Sequence, residues 1–288
     1  MISGGNGADT LDHRDYSELK LVDRRVWYFV GWHQRNPHSV RHAQGLHNLS
    51  HANHHLPDPG LTPLGEDQAR SLACSFLGAD KIGTIELVLA SPLRRTIQTA
   101  LALLASPPCM PAAVDGSGGS IQRVVAWPEV QEASHLPCDT GSPLDEIRAQ
   151  FAHAPVDFAM VESGWHVKQQ GKWTPTVEML LERGKRARRW LRRRPEKNIL
   201  VVSHGCFLHF LTDDWVDAVN SHATSWDNAE VRTFVFEDEH DSDNIALCET
   251  EESRLERGLV REALSVREQH RLRETSLKTW VEWGVISP

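Results

Sequence analysis

Ile199-Leu200-Val201-Val202-Ser203-His204-Gly205 is the stretch that decides the fold. Four aliphatic residues in a row read as a strand buried on both faces, ended by a polar junction into a helix. Residues 85–90 (Ile-Glu-Leu-Val-Leu-Ala) and 124–127 (Val-Val-Ala-Trp) have the same character, and 231–236 (Val-Arg-Thr-Phe-Val-Phe) alternates as an edge or half-buried strand. Helix starts lie between them. Thr62-Pro63, Ser91-Pro92, Ser142-Pro143 and Thr174-Pro175 each set a hydroxyl N-cap before a first-turn proline. Leu64, Leu72, Ala73, Phe76 and Leu77 then keep a helical period, as do Val177, Leu180, Leu181, Gly184 and Leu191 further on. Strands alternating with capped helices predict an α/β three-layer sandwich: a central, mainly parallel sheet with helices on both faces. Residues 1–25, which include Ser3-Gly4-Gly5-Asn6-Gly7, are expected to be a loosely ordered tail. Residues 26–288 are expected to form one domain, with a C-terminal extension of one or two helices at about 251–283.

Composition removes several classes. The 288 residues are 40% hydrophobic and 24% charged, which excludes a wholly disordered chain, a collagen and a coiled-coil rod. The longest apolar runs, 26–30 and 100–105, fall far short of the ~20 residues that span a bilayer. No N-terminal stretch has the make-up of a secretory signal. A net charge of −8 makes a poor general binder of nucleic acid. The five cysteines are scattered without a CxxC pair, so neither a disulfide framework nor a zinc ribbon is expected. The expectation is an intracellular, cytoplasmic protein, with a nuclear address left open by the basic run 183–194.

The chemistry sits at three junctions. Arg41-His42 precedes the loop Ala43-Gln44-Gly45-Leu46-His47-Asn48; Arg94 opens the helix after strand 85–90; His204 follows strand 199–202. In open α/β sheets the carboxyl ends of the strands build the ligand site, so the three should converge. Two arginines and two histidines at one point call for an anion, and guanidinium forks match phosphate. The pattern predicts a pocket for one phosphoryl group. His42 is the candidate nucleophile, and Arg41, Arg94 and His204 would stabilise the phosphoryl oxygens.

The set Val40-Arg41-His42-Ala43-Gln44-Gly45-Leu46-His47-Asn48, Leu61-Thr62-Pro63-Leu64-Gly65, Ser91-Pro92-Leu93-Arg94-Arg95-Thr96 and Val202-Ser203-His204-Gly205 resembles the histidine phosphatase superfamily, the phosphoglycerate-mutase-like fold. The resemblance covers about residues 40–236. It implies a phosphohistidine intermediate on His42, a small phosphorylated substrate, and no metal or other cofactor. It also implies an acid on the loop after the third strand. The family's Leu-x-Glu pattern falls on Val130-Gln131-Glu132, which makes Glu132 that acid, with Glu129 second. Asn48 matches the position whose amide helps hold the phosphoryl group, and Gln44 and Gly45 would shape the same loop. The loop Cys138-Asp139-Thr140-Gly141 resembles a cover of the phosphatase branch, so metal-independent phosphomonoester hydrolysis is expected. A mutase and a non-catalytic phospho-ligand or protein-binding member of the fold stand as alternatives.

Two stretches depart from that family. The strand before Arg41 should be aliphatic, yet Gln34-Arg35-Asn36-Pro37-His38-Ser39-Val40 is polar and holds a proline. Either 26–30 forms the strand and the next ten residues bulge, or the central strand is damaged. Cys206 stands where glycine is usual; near a helix N-terminus its thiolate would be favoured. Among the remaining features, His47, His51, His54 and His55 read as a solvated loop rather than a ligand set. The arginines of 183–194 read as the outer face of an amphipathic helix, and Trp127, Trp190 and Trp215 as core.

Overall fold

The computed structural model describes residues 35–75, 84–105, 123–219, 224–236, 245–259 and 264–288. In chain order these form β1 (Asn36–Arg41), α1 (Pro63–Ser75), β2 (Leu87–Ala90), α2 (Arg94–Leu104), β3 (Val124–Ala126), α3 (Leu144–Gln150), β4 (Val156–Asp157), α4 (Val177–Arg192), β5 (Asn198–Ser203), α5 (Gly205–Thr212), β6 (Val231–Phe236), β7 (Leu247–Glu249), α6 (Glu251–Glu256) and α7 (Val266–Glu282). The tail 1–25 and the apolar run 26–30 lie outside the described residues, and the compact unit that holds the strands starts at Gln34.

The sheet runs β4-β3-β2-β5-β1-β6-β7. Its first five strands are parallel, and β6 and β7 are antiparallel additions. β5 sits in the middle and is buried from Ile199 to Ser203, as its unbroken apolar run requires. Alternate side chains feed two cores. Val40, Val88, Ala90, Leu200 and Val202 meet Leu72 and Ala73 of α1 and Ala100 and Leu103 of α2. Leu89, Ile199 and Val201 meet Leu180 and Leu191 of α4 and Phe207 and Leu211 of α5. Each large aliphatic so buried contributes about 1.5–3 kcal/mol. The result is the three-layer α/β sandwich, with helices on both faces.

The polar run resolves as neither of the two expected alternatives. It is itself the strand. β1 lies between β5 and β6, in register with Asn198–Ser203, and ends at Arg41. Asn36 donates to the Lys197 carbonyl of the β5 side, whereas Arg41 donates to Glu230 beside β6. Since backbone groups alternate sides along a strand, Pro37 turns its nitrogen toward β6. The ladder to β6 starts only at His38, so the missing N–H costs no sheet bond. The polar side chains find local partners: His38 Nδ1 is 3.0 Å from Thr233 Oγ1, and Asn36 Nδ2 donates to Asn198 Oδ1 at 3.4 Å.

Only one of the four hydroxyl-proline pairs starts its helix as expected. Thr62 Oγ1 accepts from Gly65 N at 3.0 Å, ahead of α1. The other three helices begin later because those hydroxyls are engaged elsewhere. Ser91 Oγ meets His204, Ser142 Oγ donates to Asp58, and Thr174 Oγ1 donates back to the Gly171 carbonyl. Thr176 caps α4 instead, and Thr250 and Ser265 cap the two C-terminal helices.

The basic run is not a uniformly solvated face. Arg183 and Arg188 of α4 point inward. Arg188 donates to the Phe210 and Ile245 carbonyls at 2.7 Å, and Arg183 lies 4.0 Å over the Phe207 ring. Trp127 and Trp215 are core, and half-buried Trp190 packs on Trp127. Cys74 of α1 is disulfide-bonded, while Cys138, Cys206 and Cys248 keep their thiols. Among the described residues no helix is long and apolar enough to cross a membrane.

Candidate active site

His42 follows the last residue of β1 and is fully buried. Its main chain is tied on both sides: its N–H donates to Ser203 at 2.9 Å, and its carbonyl accepts from Asn228 Nδ2 at 3.1 Å. Ring Nδ1 lies 2.7 Å from the Ala43 carbonyl. A carbonyl only accepts, so Nδ1 carries the hydrogen and Nε2 keeps its lone pair. Arg95 Nε donates to that Nε2 at 3.2 Å.

His204 stands at the junction of β5 and α5, its ring centre 5.2 Å from that of His42. Nδ1 accepts from Arg95 Nη2 at 3.1 Å, which leaves Nε2–H to donate to Ser91 Oγ at 2.9 Å. Burial, reinforced by the Arg95 charge, holds both imidazoles well below the ordinary histidine pKa. Both are neutral at physiological pH, the state in which a histidine can act as a nucleophile.

The second arginine differs from the one expected. Arg94 is one-third exposed, its Nε 3.7 Å from Asp58 Oδ2. Arg95 is fully buried between them. Besides the two imidazoles it contacts the Cys138 carbonyl through Nη1 at 2.6 Å and Asp139 Oδ1 through Nη2 at 3.0 Å. Helical phase explains the exchange. Arg95, Thr99 and Leu103 share the face of α2 turned to the sheet, with Thr99 Oγ1 accepting from Ala43 N. Arg94 shares a face with Gln98, which serves the Leu61 amide.

Arg41 donates through Nη1 to the Trp226 carbonyl. Burial lowers its pKa, against an upward pull from nearby Glu132. Glu132 itself is buried with its carboxyl turned to the start of α5. Oε1 accepts from Ala133 N at 2.7 Å and from Phe207 N at 2.9 Å, and Oε2 from Cys206 N at 3.4 Å. Burial, followed by the charge of Asp139, raises its pKa. Glu129 does not join the cluster; it pairs with Arg186 of α4 at 3.2 Å. The Cys206 thiol moves opposite to expectation. Burial and the Glu132 carboxylate push its pKa well up, so the thiol form is favoured.

The loop after His42 is built as a frame. Gln44 Oε1 accepts from Thr62 Oγ1 at 2.9 Å, and its carbonyl accepts from Thr62 N. Gly65 permits this approach, since a Cβ there would stand 2.1 Å from the Gln44 oxygen. Asn48 Oδ1 accepts from Gly45 N at 2.9 Å, which leaves its amide N–H groups to donate. His47 is buried, its ring centre 5.4 Å from that of His42, and burial lowers its pKa to about 2. The described residues contain no group of three His, Cys, Asp or Glu arranged to hold a metal ion.

The family model described as histidine phosphatase superfamily (branch 1) matches residues 38–244. The chain belongs to the histidine phosphatase superfamily. Two Arabidopsis thaliana proteins are similar to it. A phosphoglycerate mutase-like protein is 30% identical over 232 residues, 70% of this chain and 84% of the relative. Phosphoglycerate mutase-like protein 1 is 33% identical over 192 residues, 59% of this chain and 67% of the relative. A solved structure of the Bombix mori ecdysone phosphate phosphatase with tungstate aligns at a TM-score of 0.46 and 15% identity, over 69% of this chain and 88% of that one.

Several participants have a role that the motifs do not assign, Asp139 among them, expected only as part of a covering loop. Asp139 joins Arg95 to the Ser134 hydroxyl, which lies 2.6 Å from Oδ2. Asp58 is buried and accepts from Arg94 N at 3.0 Å and from Ser142 Oγ at 2.9 Å, tying the loop after Asn48 to that around residue 139. Lys168 and Arg183 reach beneath the acidic loop, Lys168 from outside every quoted motif and Arg183 from the basic run. The 3.6-residue period of α2 was the one signal that could have singled out Arg95.

Proposed function

We propose that the protein hydrolyses phosphomonoesters through a phosphohistidine on His42. The observation that carries this reading is a neutral imidazole fixed by the Ala43 carbonyl, its Nε2 lone pair directed at Arg95 and beside His204. Arg95 places four of its five N–H donors on His42, His204, Cys138 and Asp139. A phosphoryl dianion is a stronger acceptor than an imidazole nitrogen, so it draws the Arg95 Nε–H away and frees Nε2. The lone pair then forms the N–P bond as the bond from phosphorus to the leaving oxygen breaks. Arg41, Arg95 and His204 take up the charge on the phosphoryl oxygens. Glu132 gives its proton to the leaving alkoxide. Its carboxylate next takes a proton from the water that attacks phosphorus, releasing phosphate and restoring His42. The burial that raises the Glu132 pKa favours the protonated form the first step needs.

The test is release of phosphate from an aryl phosphate with a chelator present, comparing wild type with His42→Ala. The expected result is turnover by wild type, none by the variant, and an acid-labile, base-stable phospho-adduct that the variant lacks. Activity that requires added metal, or that survives the substitution, overturns the reading.

A further inference from the structure

Lys168 lies on an irregular segment and is fully buried. All three of its donors go to main-chain carbonyls of one loop: Glu132 at 2.8 Å, Ser134 at 2.7 Å and Asp139 at 2.6 Å. Arg183 of α4 supports the same loop from below, donating through Nη2 to the Gln131 carbonyl at 2.9 Å and more weakly to Glu132. A buried charge is costly, and a methionine would fill comparable space without that cost. What an ammonium supplies and an apolar chain cannot is three donors converging on carbonyls that no helix or strand satisfies.

The three anchored residues are those whose side chains lead to the site. Glu132 reaches the start of α5, while Ser134 and Asp139 are joined to Arg95. We propose that Lys168 is a positioning residue for the proton donor, its ammonium fixing the loop so that Glu132 meets the leaving oxygen. This inference rests on the hydrolytic reading above. The ammonium sits among charges of both signs. Burial and the neighbouring Arg183 push its pKa down to about 7, Arg95 adds to that, and Asp139 and Glu132 oppose it.

A positioning role for the acid has a signature that loss of stability lacks. Good leaving groups depart without protonation, whereas poor ones depend on it. The experiment measures kcat/KM for a series of aryl phosphates whose phenols rise in pKa, in wild type, Lys168→Met and Lys168→Gln. Thermal melts establish that each variant is folded. In the variants the activity is expected to fall about tenfold further for the poorest leaving group than for the best, a part of the roughly 10²–10⁴-fold that general-acid catalysis supplies. An equal loss across the series, or no loss, overturns the proposal. Failure of both variants to fold also overturns it, since the lysine is then purely structural. A wild type that hydrolyses no member of the series sinks the hydrolytic reading; an active wild type with parallel variants sinks only the role of Lys168.

Discussion

Exchanging two adjacent arginines for alanine separates this geometry from any account based on motif position alone. Arg95→Ala removes a guanidinium that contacts both imidazoles, and leaves the Cys138 carbonyl and Asp139 without that partner. Loss of one preorganised donor to developing charge costs about 2.7–4 kcal/mol of barrier, or roughly 10²–10³ in kcat. The polar groups left behind add about 1–3 kcal/mol of lost stability. Arg94→Ala removes a side chain that is one-third exposed, with its Nε 3.7 Å from Asp58. Such a pair is worth about 0–1 kcal/mol, and the Arg94 backbone N–H still serves Asp58. Turnover should therefore change less than about fivefold. The assay is kcat and kcat/KM on an aryl phosphate with chelator, alongside thermal melts of both variants. Arg94→Ala losing more activity than Arg95→Ala would refute the assignment, as would an Arg95→Ala protein within threefold of wild type.

Two further outcomes follow from packing and protonation. Gly184→Ala should lower the urea midpoint, although alanine is the better helix former by about 1 kcal/mol. Its Cβ would stand 2.2 Å from the Phe210 carbonyl oxygen, where α4 meets α5, and overpacking costs about 1–3 kcal/mol; a raised midpoint would show that the two helices can separate freely. The melting temperature should fall as pH drops from about 7 to about 5. His42, His204, His47 (about 2) and His209 (about 4) are kept neutral by burial but protonate near pH 6.5 once unfolded. Each costs up to about 1.4 kcal/mol per pH unit below that value. The raised pKa values of Glu132, Asp58 and Glu249 oppose the loss over part of this range, whereas the lowered one of Lys168 (about 7) adds to it near pH 7 and the four histidines act throughout it below about pH 6.5. A calorimetric melting temperature that stays level or rises over this range contradicts the burial of these rings.

The aliphatic strands were readable because burial on both faces leaves little choice of residue, and β2, β3 and β5 fall on the runs that predict them. β1 was not readable, since its polar side chains are satisfied by neighbours distant in sequence, such as Thr233 and Asn198. Pro37 looked disruptive because the level at which β6 begins to pair is invisible in a one-dimensional pattern. Arg41, His42, His204 and Glu132 come to the cluster from their expected junctions, whereas Glu129 does not. Arg94 and Arg95 are adjacent in every motif sense and differ only in helical phase. Asp58, Lys168 and Arg183 act through main-chain groups of other segments, and contacts of that kind leave no local signature.

The His42 ring is steered by an oxygen of the polypeptide itself, where a serine-protease-like triad would use an acidic side chain. Every amino acid supplies a carbonyl, so no replacement at position 43 can delete this orienting contact. The tautomer of the proposed nucleophile is thereby insulated from genetic drift, and its neighbours are free to diversify while the Nε2 lone pair keeps its aim.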